Sequence, residues 1–135
     1  MIALVSAPSN LGLRPPVLGA VPGTSKAPEA LREAGLYAAL AAQGALDAGV
    51  VLPGRYVDDP ERGEQTLRNQ DAIVDHARRL AARLVELRSR GHAPLVLGGD
   101  CSLVIAAGLA SRVCGAGGLV PVSYTHLRAH ETPEH

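Results

Sequence analysis

The chain has 135 residues, 47% of them apolar, and its 13 basic side chains are balanced by 13 acidic ones. That suffices for one domain, or part of a larger one, with a real core. Neutral charge and 2% aromatic residues leave no basic, stacking face of the kind nucleic acid requires. With no Phe and no Trp, the core must be built from Leu, Val and Ala. In chain order, residues 2–5 (IALV) predict a buried strand that runs into a loop at Pro8, Ser9, Asn10 and Gly12. The loop continues through LGLRPPVLGAVPGTSK, and so long a connection in a compact domain is commonly functional. Ser25 suits a helix N-cap, Pro28 a first turn and Gly35 a C′ position. A second short helix over 36–43 ends at Gly44. Residues 50–52 (VVL) predict the second strand.

A long helix is predicted next, entered at Asp59-Pro60 with Asp as cap and Pro at N1. From Leu67 onward, Ile73, Ala77, Leu80, Leu84 and Leu87 fall on one helical stripe. Arg78, Arg79, Arg83, Glu86 and Arg90 occupy the other face, which reads as solvated rather than as a polyanion site. Gly91 and Pro94 end the helix. Residues 95–97 (LVL) read as a strand covered on both faces, 102–112 as a short apolar helix, and 119–120 as the start of another strand. The order β, α, α, β, long α, β, α, β predicts an α/β fold with a mostly parallel sheet, without internal repeat or second domain.

No apolar run reaches the ~18 residues of a bilayer span. The start, MIALVSAP, lacks the basic and long apolar regions of a signal peptide. Cys101 and Cys114 make no disulfide framework, so a reducing, cytoplasmic setting is expected, with no membrane partner.

The stretch LVLGGDCSLVI places Gly98 to Ser102 at the carboxyl end of a parallel strand, where α/β proteins bind ligands. Four readings compete. Cys101 could be a nucleophile favoured by a helix N-terminus, although no nucleophile-elbow spacing surrounds it. The glycines could cradle a phosphate, although neither phosphate-loop spacing fits. Asp100 could cap the helix while Cys101 is a small buried hydrophobe. Cys101 could instead hold a metal-ligand position, with Asp100 supporting it.

LVLGGDCS resembles the first metal motif of the arginase/agmatinase (ureohydrolase) family, Gly-Gly-Asp-His-Ser. APEALREAGL is similar to the family's helix start Gly-Pro-x-x-Leu-Arg-x-x-Gly-Leu: Pro28, Leu31, Arg32, Gly35 and Leu36 match, and Ala27 replaces the first Gly. The resemblance covers about residues 1–120. It implies a truncated, arginase-like, three-layer α/β/α fold and two Mn²⁺ ions that activate a hydroxide. It also implies cleavage of a C–N bond in a small guanidino or amidino substrate, by a protein that is a homo-oligomer at full length. Cys101 then stands at the metal-ligand position, Asp100 behind it, and the loop over 10–16, with Asn10 and Gly12, at the substrate mouth.

Two departures matter. Cys101 replaces the ligand His, and thiolate favours softer metals than Mn²⁺. The family's Asp-x-His-x-Asp and Asp-x-Asp clusters are absent from the chain. This sequence is therefore expected to be an inactive fragment of a hydrolase. The alternative is a non-catalytic arginase-like binding or assembly protein with a degenerated site. Residues 121–135 (PVSYTHLRAHETPEH) carry His126, His130 and His135, but Glu131 is out of register for His-Glu-x-x-His, and Pro133 breaks a helix. This segment resembles translated read-through of a sequencing adapter and is expected to be a disordered, non-native tail that follows residues 1–120, the N-terminal part of an arginase-like domain.

Overall fold

A computed structural model describes residues 1–115, Gly117 and Gly118. The expected strand at 119–120 and the tail over 121–135 lie outside the described residues.

Three parallel strands form one sheet in the order β2-β1-β3. Strand β1 (Ile2–Ala7) is central, flanked by β2 (Leu46–Val50) and β3 (Ala93–Gly98). The β1–β3 ladder runs in regular register from Ile2↔Ala93 to Ala7↔Gly98. Alternation along β1 sorts its side chains to two faces. Ala3, Val5 and Ala7 pack into a cluster with Leu80, Leu84 and Leu87 of helix α3 (Gln70–Ser89), and with Ala106 and Ala110 of α4 (Leu103–Cys114). On the other face, Ser6 shares a 2.5 Å hydrogen bond with the Tyr37 hydroxyl of α2 (Leu36–Ala42). Helix α1 (Ala27–Glu33) precedes α2, and Gly35 (φ 91°) lies between them, as its predicted C′ role requires. Helices thus cover both faces of a parallel sheet, and the expected three-layer α/β/α order is present. The small residues of β1 let the leucines of α3 approach closely, which is how a core without Phe or Trp closes.

Three local expectations need correction. The second strand is Leu46–Val50, not 50–52. Asp47 and Gly49 are poor strand formers, but pairing with β1 overrides propensity. Asp47 is satisfied locally, accepting from the Gly49 N–H and from Arg32. The ladder continues one step to buried Val51, whose N–H donates to the Ser6 carbonyl, while Leu52 is exposed.

The long helix starts at Gln70 rather than at Asp59-Pro60. The Asp59 carboxylate accepts from the Glu61 N–H, the Arg62 guanidinium donates to the Asp59 carbonyl, and Arg68 pairs with Asp58. These short-range bonds hold the segment in turns, and Asn69 (φ 53°) sets the direction into α3. Leu67, assigned to the stripe by spacing, is exposed, whereas Ala77, Leu80, Leu84 and Leu87 are buried as expected. Finally, Ser25 lies within a 3-10 turn (Gly23–Lys26), and the α1 cap position is Lys26, which makes no side-chain cap bond.

Candidate functional site

The joint between β3 and α4 sits at the carboxyl end of the sheet, beside the loop that leaves β1. Two glycines permit the approach. A Cβ on Gly99 would collide with the Ser9 backbone, and one on Gly12 would fall on the Asp100 carboxylate. The two chain segments are therefore in direct contact. The Asp100 N–H donates to the Ser9 carbonyl (3.2 Å). In return, the Gly12 N–H donates to Asp100 Oδ2 at 2.8 Å.

Asp100 is buried, and its carboxylate is used inside the protein. Beyond Gly12 it accepts the Ser102 hydroxyl (3.0 Å) and, at 3.4 Å, the Ser102 N–H. The latter is an Asp side chain reaching a backbone N–H two residues on, at the entrance to α4. Part of the capping reading is thus present, although the formal N-cap is Ser102. The paired reading of Cys101 as a buried thiol is not: Cys101 is exposed.

Further bonds fix the loop. Asn10 is buried and donates from Nδ2 to the Pro22 carbonyl (3.0 Å). Asn69 Nδ2 donates to the Leu11 carbonyl and the Tyr56 hydroxyl to the Leu13 carbonyl. Loop and joint frame a crevice of about 460 Å³. Gly12, Leu13 and Arg14 line one wall, and Asp100, Cys101, Ser102 and Ile105 another. Arg62, Leu67, Arg68 and Ile73 complete it. Of the residues singled out by sequence, Gly12, Asp100 and Cys101 meet here, while Asn10 lies outside the lining and faces Pro22. Arg14 belongs to the 10–16 loop expected at the substrate mouth, whereas Ser9, Tyr56, Asn69, Arg62 and Arg68 carry no such expectation. Only Ser102 carried a local signal, its position two residues after an Asp.

Below the crevice, His76 of α3 is buried, and its Nε2 lies 2.8 Å from the Val51 carbonyl, to which Nε2–H donates. Burial holds its pKa below the ordinary histidine value, and the Val51 bond offsets this only in part.

Solved structures match the fold of most of this chain. The arginase from Bacillus caldovelox superposes with a TM-score of 0.69 at 29% identity, over 83% of this chain and 36% of that one. The arginase from Bacillus subtilis superposes at 0.66 with 25% identity, over 84% of this chain and 35% of that one. In sequence, the Bacillus caldovelox arginase is 35% identical over 85 residues, 62% of this chain. This chain is similar to the arginases in sequence and in fold. Its fold is arginase-like, and it spans 28% of the length of that sequence relative. No family model matches the chain.

An arginase-type metal pair can be tested against these donors. Among the described residues, no three His, Cys, Asp or Glu side chains come together. The crevice offers one thiol, at Cys101, and one carboxylate, at Asp100, already engaged by Gly12 and Ser102. A dinuclear Mn²⁺ centre needs several oxygen and imidazole donors, and the described residues do not fit it.

Proposed function

We propose that this chain supplies the β1-loop and β3–α4 part of the catalytic crevice of a metal-dependent hydrolase. Its reaction is hydrolysis of a C–N bond in a small guanidino or amidino compound. Water adds to the amidino carbon and an amine departs, leaving urea or its analogue. The observation that carries this reading is the juxtaposition at the end of the parallel sheet: Cys101, at the position of the family's ligand His, opens onto the crevice, and its joint is locked to the β1 loop through Asp100 and Gly12. The arginase likeness of the surrounding fold supports it.

In this reading Cys101 occupies a metal-ligand position and Asp100 is a positioning residue, since its carboxylate is turned to the loop. Gly12 borders the substrate mouth. The metal is Mn²⁺ by family resemblance, and the thiol shifts preference towards a softer ion. An exposed free thiol suits a reducing, cytoplasmic setting. Among the described residues no helix is long and apolar enough to cross a membrane.

The 135-residue chain by itself is inactive in this account, because one thiol cannot hold two metal ions. Purified protein incubated with Mn²⁺ and a guanidino acid is expected to release no urea above the protein-free control. Chelator-sensitive urea release would refute that. The second reading is a non-catalytic arginase-like binding or assembly protein. The thiol standing in place of an imidazole favours it, and intact metal-binding carboxylates in the remainder of the gene would argue against it.

A further inference from the structure

The connection from β2 to α3 closes on itself before the helix begins. At its neck the Val57 N–H donates to Asn69 Oδ1 (2.8 Å), and Asp58 pairs with Arg68. The neck is tied to the β1 loop: Asn69 Nδ2 donates to the Leu11 carbonyl (3.1 Å) and the Tyr56 hydroxyl to the Leu13 carbonyl (2.8 Å). Residues 58–68 thus have their ends held together, the geometry of an Ω-loop. Beyond the neck the bonding is local. Among the described residues, the hydrogen bonds of 59–66 stay inside that segment, as from the Glu61 N–H to Asp59 Oδ1 and from the Thr66 N–H to the Gly63 carbonyl, and Leu67 bonds only to Gln70. No residue of 59–67 is buried. Space lies on two sides of the segment. Arg62, Leu67 and Arg68 line the crevice of about 460 Å³. Arg62 and Leu67, with Asp59 and Thr66, also line a second cavity of about 440 Å³ against the start of α3. Leu67 is 71% exposed although it borders the crevice, and Ile105, on another wall, is 47% exposed. A loop bonded to itself, with room to move and an apolar side chain at the rim, gains buried apolar surface by closing.

We infer that residues 58–68 form a lid that swings as one body about the neck at Val57 and Asn69 and brings Leu67 onto Ile73 and Ile105 across the crevice. Asn69 (φ 53°) suits the hinge, since Asn tolerates the left-handed region better than other side chains do. Closure excludes water from the crevice and shields Cys101. The lid does not rest on the proposed hydrolysis and holds for any ligand of the crevice.

Two thiol measurements on the full 135-residue chain test it. The first is alkylation of Cys101 by N-ethylmaleimide, with Cys114 at the far end of α4 as the internal reference. Leu67→Ser removes the apolar contact that favours closure. Alkylation of Cys101 is then expected to speed up about fivefold, the scale of one partly buried leucine, while that of Cys114 is unchanged. The second is oxidative cross-linking of Cys101 to a thiol introduced by Arg62→Cys, in a chain that also carries Cys114→Ser. A disulfide needs Cα atoms within about 7 Å, so its formation reports closure. Adding Leu67→Ser is expected to slow this cross-link about fivefold. A rigid wall cannot move the two rates in opposite directions, because trimming it opens Cys101 to reagent and introduced thiol alike. Circular dichroism identical to that of the parent confirms that the variants are folded. If Arg62→Cys does not fold, alkylation in the parent and in Leu67→Ser decides alone. Alkylation indifferent to Leu67→Ser overturns the lid, as does a cross-link that fails to form or is not slowed. Loss of the fold in Leu67→Ser overturns it too, since Leu67 would then belong to the core.

Discussion

Asp100 and Cys101 are neighbours in sequence with opposite surroundings. The aspartate points inward and fastens the β1 loop, while the thiol opens onto the crevice. Gly12 makes this possible, because any side chain there meets the Asp100 carboxylate. Gly12→Ala is expected to destabilise the fold by about 1–3 kcal/mol, the usual cost of overpacking a closed contact. Urea denaturation checks this, and an unchanged midpoint would mean that the loop and joint are not tightly apposed. The motif made Asp100 and Cys101 visible in the sequence. The backbone partner of Asp100 was not visible, because Gly12 lies 88 positions away and a backbone N–H leaves no mark in a sequence.

At the scale of elements, α3 shows both what periodicity reveals and what it misses. The stripe Ala77, Leu80, Leu84 and Leu87 is buried against β1 as its spacing predicts. Its beginning was misplaced, because Asp58, Asp59, Arg62 and Arg68 satisfy one another and the local backbone in turns. A sequence shows Asp-Pro as an entry signal but not which side-chain bonds compete with it. His76 also sits on α3, between the buried stripe and the end of β2. Burial lowers its folded-state pKa below the ordinary value of 6.5, so the fold favours the neutral ring. The sign follows from linkage: His76 imposes no penalty above about pH 6.5. Stability then falls as pH drops from there towards the lower folded-state value, because the unfolded chain takes up the proton first. His76→Gln keeps a donor for Val51 and does not titrate. Its stability, measured by denaturation at pH 7.5 and pH 5, should fall less than that of the parent. An equal fall in both proteins would show that His76 is not a source of the acid sensitivity.

At the scale of the molecule, a parallel sheet with helices on both faces was legible from the order of apolar runs alone, since each strand and helix must bury one face. The arginine-lined crevice was not. Arg14 follows β1, while Arg62 and Arg68 lie in the connection from β2 to α3, and they come to one crevice only because both segments leave the same end of the parallel sheet. Nor did sequence show the exposed apolar surface of α4, where Val104, Ile105, Leu109 and Val113 lie open. A single stretch of Val, Ile, Leu and Ala reads as buried all round, whereas only Ala106 and Ala110 are fully covered. An open apolar flank accords with a chain that spans about a third of the solved structures it matches.

We propose that residues 1–115 supply the β1-loop and β3–α4 walls of an amidine-hydrolysing crevice, altered at one ligand position. This is tested most directly by grafting this segment in place of the matching part of the Bacillus caldovelox arginase and measuring urea release with Mn²⁺. A folded chimera carrying Cys101→His is expected to release urea, and the same chimera with Cys101 to do so at least about tenfold more slowly, since thiolate suits Mn²⁺ poorly. Equal rates with and without the Cys101→His substitution would contradict the metal-ligand position, and two folded, inactive chimeras would contradict the hydrolase reading itself.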